Sequence, residues 1–528
     1  MGCIEGTDGV WDGAVPYVMA NPMAAPNVFA PRMRAVRLLG EEGMQKVVAA
    51  QEPGGSGDIY EGLNEDQKQA LKEATSMGFP PKAWFDYPYM GDGALMVLVP
   101  AVYQMFPTYF KDFWEKEGYE GADPESNEAR AHMKLVTTVE HLDYDYAEPE
   151  LSEEEKNTVD TSWLNTILGG EKLPHIYLKD AIPADTYTYH CRFKVLDGAC
   201  AGKEINISSI DGNMLELHPE NDGKHENPFK ELKPGDQVMI DNGDAIAMQC
   251  FHRHQLPDET YDVYDQFRNE DGSPKYTQLP MLVAPMTAIS GAGLMPTGNI
   301  HGKVIGICSM MDESACPWHG DWYRKAIGRC GIDEQDHFRL YYHDNSIHDD
   351  RAGYLDDPQN QVDYLGTLHQ ALLDVAAWCE KGIEPFDTMN YTYADGQITL
   401  PKGAKERGGM QPVVSAVVEN AAGQSDYDGK VTRAKVGENI CFKAVIEVPP
   451  KAGKVTHAAW DYEKTNDWSN DEVIEAVDDT TYKIEADHVF TKPGIYYPVI
   501  KVASNRHGDA GDIFTQCKNL DRVKVIVE

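Results

Sequence analysis

The chain is poor in basic residues: 47 Lys and Arg stand against 86 Asp and Glu, a formal net charge of −39 over 528 residues. The acids are spread along the chain and no Lys/Arg cluster answers them. That excludes a nucleic-acid partner, because phosphate contacts need such clusters, and it favours a self-repelling surface. No apolar run reaches the roughly 18 residues of a membrane span, so no span is expected. No basic stretch followed by an apolar core opens the chain, so no signal peptide is visible. The ten cysteines contain no Cys-x-x-Cys and no short paired spacing, which argues against a zinc ribbon or a thioredoxin-like centre. No cofactor is expected. The length points to two or three domains.

What is there centres on residues 303–350. Positions 303–311 form a near-continuous apolar run, the pattern of a strand covered on both faces. It opens into a polar loop that begins at Asp312. A second buried-strand pattern, 338–342, runs into a loop that ends His348-Asp349-Asp350. Loops at the carboxyl ends of strands carry the chemistry of open α/β sheets. An acid after one strand and a histidine after the next are two of the three members of a Ser/His/Asp site. Positions 362–382 then read as an amphipathic helix with Leu365, Leu368, Leu372, Val375 and Cys379 on one face, Gly382 as its stop and Pro385 beyond. This order of elements resembles the last third of an α/β-hydrolase.

Within that class the stretch resembles the tannase and feruloyl esterase group. Asp312, Ala315 and Pro317 match its Asp-x-x-Ala-x-Pro loop, and Tyr323 stands on the helix that follows. His348 lies nine residues after the Arg of Phe338-Arg339-Leu340, the family spacing, and the 378–385 helix end is also similar. One departure is Asn345-Ser346-Ile347, which replaces a Gly-Met-Gly before the histidine. The resemblance implies Asp312 as orienting acid, His348 as general base, and a small-molecule ester of an aromatic acid as substrate. Asp321 is the reserve acid, or an N-terminal cap of its helix. His343 reads as a polar loop residue.

No Gly-x-Ser-x-Gly occurs in the chain. In Gly2-Cys3-Ile4-Glu5-Gly6 an isoleucine holds the nucleophile's place, and Gly198-Ala199-Cys200-Ala201-Gly202 reads as a turn. Residues 9–18 resemble the strand that follows the nucleophile helix, so the serine and the earlier strands are expected upstream of Met1. The expected architecture is an α/β-hydrolase core lacking its N-terminal strands (1–20 and 285–390). Into it is inserted a mixed cap (21–284), helical over 21–165 and β-rich over 187–256. Asn64 and Gln67 fit a capping box. The aromatic stretch 103–117 reads as the apolar face of a helix, or as a lid wall on an aromatic substrate. Glu148 to Lys156 reads as an acidic solvated loop. His252 and His254 suit a strand, either as a metal pair or as surface residues.

Residues 390–411 read as a linker, and 412–528 as an all-β sandwich with alternating runs at 440–448 and 495–502. Trp460-Asp461-Tyr462, His488-Val489-Phe490 and Pro493-Gly494-Ile495-Tyr496 resemble the PKD type of Ig-like domain, without its Gly-Asp-Gly. That resemblance implies a carbohydrate or protein contact and slightly favours a secreted or cell-envelope setting. Two other functions compete with the esterase reading. One is a non-catalytic binding remnant, supported by the missing elbow. The other is a metal-dependent hydrolase using His343, Asp344, His348 and Asp349.

Overall fold

The computed structural model describes residues 1–88, 90, 93–145, 172–217, 227–349, 359–469 and 471–528. The chain has mixed helix and sheet content and divides into two compact units. Residues 1–91, 256–272 and 281–528 form one, and 92–255 with 273–280 form the other.

In the first unit Gly13–Ala14, Lys303–Ser309 and Phe338–His343 pair as a parallel sheet, with Lys303–Ser309 in the middle. Every residue of these two longer strands except Lys303 is buried, as the continuous apolar runs required. Helix Trp318–Arg329 links the two and packs on both, while helix Leu365–Lys381 lies on Lys303–Ser309 and Gly13–Ala14. The approach is close enough to dictate Gly13, where a Cβ would fall 2.8 Å from Val375 Cγ2 and from Cys379 Sγ.

Helix Leu365–Lys381 stops as read, with Gly382 at φ 63°. Its buried apolar stripe is one step round from the expected one: Leu368, Ala371, Val375 and Trp378 are buried, whereas Leu372 is 47% exposed. Spacings of three, four and three keep those residues on one line. A second stripe, Gly366, Gln370 and Asp374, is buried against the C-terminal strands, so the helix is covered on two sides and the simple amphipathic reading misplaces its face.

Helices Phe29–Gln51 and Glu65–Ser76 belong to this unit. Leu39, Met44, Val47, Leu71, Ala74 and Trp84 share an apolar cluster with Met311 and Ile347, which flank the site loops. Of the stretch 21–284, residues 21–91 and 256–272 fall in the same compact unit as the sheet. The capping box is present: Asn64 Oδ1 accepts from Gln67 N at 2.9 Å and Gln67 Oε1 from Asn64 N at 3.1 Å. Asn64→Ala is expected to cost about 1 kcal/mol in urea unfolding. No loss would mean that packing alone holds this helix end.

The second unit holds a closed barrel ordered Lys134–Asp143, His175–Leu178, Met214–Leu217, Glu204–Asp211, Arg192–Val195, Gln237–Asp241. Ile176, Phe193, Val195, Ile205, Leu215, Val238 and Ile240 fill it. Its first strand lies in the stretch expected to be helical, and residues 243–254 are helical where strand was expected. Only alternate burial against barrel partners distant in sequence distinguishes Lys134–Asp143 as a strand. Glu148 to Lys156 lies outside the described residues. Of the aromatic stretch, Tyr109, Phe110 and Phe113 are core residues of helix Tyr109–Glu115, with Tyr109 Oη donating to the Ala247 carbonyl at 2.8 Å. His252 and His254 are neither on a strand nor on the surface: both are buried in the turn Phe251–His254. His254 Nδ1 lies 2.7 Å from the Thr277 carbonyl and Nε2 3.1 Å from Glu120.

From Val413 onward the chain is β. Val413–Glu419, Asn439–Glu447, Thr481–Val489 and Glu475–Ala476 form one sheet, and Lys454–Asp461, Val499–Asn505 and Cys517–Arg522 another. Val431–Ala434, Lys524–Val527 and Gly494–Tyr496 make a third. Phe442, Ile484, Trp460, Ile500 and Val525 share one core. The run 495–502 is split between two sheets at Pro498, which has no N–H to give a ladder. Residues 390–411 are docked rather than free: Gln397 Nε2 donates to the Thr75 carbonyl at 2.7 Å.

Candidate active site

Asp312 and His348 sit in the loops that leave the carboxyl ends of the two adjacent parallel strands. Asp312 is fully buried, and its Oδ1 accepts the backbone N–H groups of Ser314 at 2.9 Å and Ala315 at 2.6 Å. An aspartate opening a turn makes such bonds by its short reach, so the carboxylate is oriented before any partner arrives. His348 Nδ1 lies 3.0 Å from Oδ1 and 3.2 Å from Oδ2. Because an ionised carboxylate only accepts, Nδ1 carries the hydrogen and a neutral ring offers its lone pair at Nε2. The His348 side chain is 42% exposed. Burial opposes its charged form, but the Asp312 hydrogen bond and charge, with Glu313 and Asp349, outweigh it and hold the ring at about 9.

The described part of the histidine loop is held by Asp344 and Asn345. Asn345 takes φ 53°, the left-handed region that asparagine tolerates better than other residues with a Cβ. It is thereby a substitute for glycine in this part of the loop. Its Nδ2 donates to Asn519 Oδ1 at 2.8 Å and to the Leu520 carbonyl at 3.2 Å, both on a C-terminal strand. Asp344 is ion-paired with Arg407 at 3.2 Å. Burial raises the Asp344 carboxyl, and Lys82 and Arg407 more than reverse this, so it lies below its usual range.

The other candidate residues are placed elsewhere. Asp321 stands inside helix Trp318–Arg329, not at its cap, where it accepts from Tyr391 Oη at 2.7 Å and pairs with Lys325 Nζ at 2.6 Å. The ring of His348 is bound to Asp312. His343 is not a polar loop residue but the buried last residue of its strand, with Gln411 Nε2 3.2 Å from Nδ1. Burial pushes its ring down to about 4. Among the described residues no group of three or more His, Cys, Asp or Glu is placed to hold a metal. Nor, among them, is a hydroxyl or thiol hydrogen-bonded to the His348 ring. Gly2–Gly6 is a short helix with Ile4 in the core, and Cys200 is buried in the barrel. Two residues at the site were not anticipated. Glu313 accepts the His348 backbone N–H at 3.2 Å, and Tyr364 Oη donates to the His348 carbonyl at 3.1 Å. Adjacency to Asp312 was the signal for Glu313; Tyr364 carried none.

Fold and site together define a mixed α/β protein in which parallel-strand loops join a buried aspartate to a half-exposed histidine. No protein family matches the chain, and no curated protein matches it. Among solved structures it is similar to an esterase from Aspergillus oryzae, at 13% identity over 28% of this chain and 41% of that one, with a TM-score of 0.14. It is also similar to feruloyl esterase B from Aspergillus oryzae, at 11% identity over 75% of this chain and 60% of that one, with a TM-score of 0.19. The chain thus spans less than two thirds of the length of either.

Proposed function

We propose that the chain carries the acid and the base of a Ser/His/Asp carboxylic ester hydrolase acting on esters of aromatic acids. In this reading it is part of an α/β-hydrolase core with an inserted mixed domain and a PKD-like C-terminal sandwich, and the nucleophile serine comes from sequence outside these 528 residues. The observation that carries the reading is the hydrogen bond from His348 Nδ1 to the buried Asp312, made between loops of adjacent parallel strands. His348 Nε2 takes the proton from the serine hydroxyl as it attacks the ester carbonyl, then returns it to the leaving alcohol. Asp312 holds the ring in the tautomer this requires and stabilises the imidazolium that forms.

The test joins this chain to a segment bearing a Gly-x-Ser-x-Gly elbow and assays short acyl and aryl esters. Hydrolysis is expected in the joined form and its loss in His348→Ala. Activity that survives the mutation would sink the assignment, and an inactive joined form would leave the binding-remnant reading, which the lack of a nucleophile among the described residues favours. A protonated ring cannot act as base, and His348 holds its proton up to about pH 9. The kcat/KM of the free enzyme is therefore expected to rise tenfold per unit of pH until it levels near 9. A profile flat from pH 6 would show that another group is the base.

A further inference from the structure

His348 is tied to the acid loop by its backbone as well as by its ring. Its N–H donates to Glu313 Oε2 at 3.2 Å, and its carbonyl accepts from Tyr364 Oη at 3.1 Å, so both backbone polar groups of this residue end on side chains. Glu313 is itself pinned. Its Oε1 accepts from the Ser314 hydroxyl at 3.0 Å, and its carbonyl accepts from Arg32 Nη1 at 2.5 Å, which anchors the loop to helix Phe29–Gln51. A half-exposed histidine outside regular structure meets its aspartate reliably only if its own backbone is held in register with that aspartate. A neutral acceptor would suffice for the N–H. A glutamate places a second negative charge beside the ring, next in sequence to the first.

We infer that Glu313 is a positioning residue for His348, fixing the histidine's peptide against the acid loop and adding a charge that favours the protonated ring. This rests on the assignment of His348 and Asp312 as the working pair. Among the described residues, the charged groups that act on the ring are Asp312, Glu313 and Asp349. Burial and the Asp312 charge raise the Glu313 carboxyl above its usual range, while its own backbone N–H, Arg32 and the His348 ring act in the opposite direction. A merely structural Glu313, present to receive an N–H, would leave the titration of the ring alone.

The experiment follows the His348 ring by NMR titration on the full chain, with His348→Ala identifying the resonance, and follows the His348 amide by hydrogen exchange. Glu313→Gln keeps an acceptor oxygen and removes the charge. The midpoint is expected to fall by about one unit with amide protection retained. Glu313→Ala removes both, and the same fall is expected with exchange about tenfold faster or more. An unchanged midpoint in Glu313→Gln, or unchanged exchange in Glu313→Ala, overturns the inference. Asp312→Asn separates the two levels. If it lowers the midpoint while Glu313→Gln does not, only the role of Glu313 fails; if neither lowers it, the pairing of His348 with Asp312 is at fault.

Discussion

Asp312→Asn moves the His348 titration from about 9 to its ordinary value near 6.5 or below. Burial is the largest influence on this ring and favours the neutral form; the Asp312 hydrogen bond and charge are what reverse it. Asparagine keeps the shape and removes the charge. Its amide also offers a hydrogen to Nδ1, which puts the ring's own hydrogen on Nε2, the wrong nitrogen for a base. In an elbow-bearing form, hydrolysis is expected to fall on the order of 10⁴-fold. Stability follows with a definite sign. A ring held above its unfolded value stabilises the fold fully below pH 6.5, and that contribution disappears as pH rises through 9. Urea unfolding of wild type and Asp312→Asn is therefore expected to differ more at pH 6 than at pH 10. An equal gap at the two pH values would mean that the bond to His348 is not what the mutation removes.

Arg506→Met is expected to cost about 3 to 5 kcal/mol in global unfolding. Arg506 directly follows strand Val499–Asn505, and its Nη1 and Nη2 reach the two carboxylate oxygens of Asp374 on helix Leu365–Lys381, the second at 2.8 Å. The Asp374 side chain is 6% exposed, and without Arg506 the bond left to it among the described residues is from Gln370 Nε2, at 2.9 Å from Oδ1. An unpaired buried carboxylate costs more than the pair contributes, so Arg506→Met with Asp374→Leu is expected to recover most of the loss. A single-variant loss under about 1 kcal/mol would show that the pair is solvated and dispensable. The functional consequence runs through Asn345, which is bonded to Asn519 and Leu520 on the strand paired with Val499–Asn505. Loosening these C-terminal strands is expected to loosen the loop that carries His348.

Much of this was legible because the signals are local. Lys303–Ser309 and Phe338–His343 announce themselves as buried parallel strands by unbroken apolar runs, since both faces are covered. Asn64 with Gln67, and Gly382 after a helical run, are chemistry confined to a few neighbouring residues. What was misread depended on partners far along the chain. Strand Lys134–Asp143 pairs with Gln237–Asp241, about a hundred residues away, and its own alternation is too weak to mark it. The burial of His254 follows from acceptors supplied by Glu120 and Thr277. Leu372 was expected inside because a helix with one apolar face was assumed. A second covering surface rotated the buried stripe toward Ala371 and Asp374.

The sequence by itself determined the order strand, acid, strand, histidine, helix, because apolar periodicity and stop signals act over a few turns of chain. Only the tertiary structure decided which acid meets the histidine. A motif match put Asp312 ahead of Asp321, which stood in reserve, but it is the turn at Ser314 and Ala315 that aims the first at His348 and the following helix that turns the second toward Tyr391 and Lys325. Hydrogen-bond direction is set by where the backbone places each carboxylate, and that follows from packing across the whole unit.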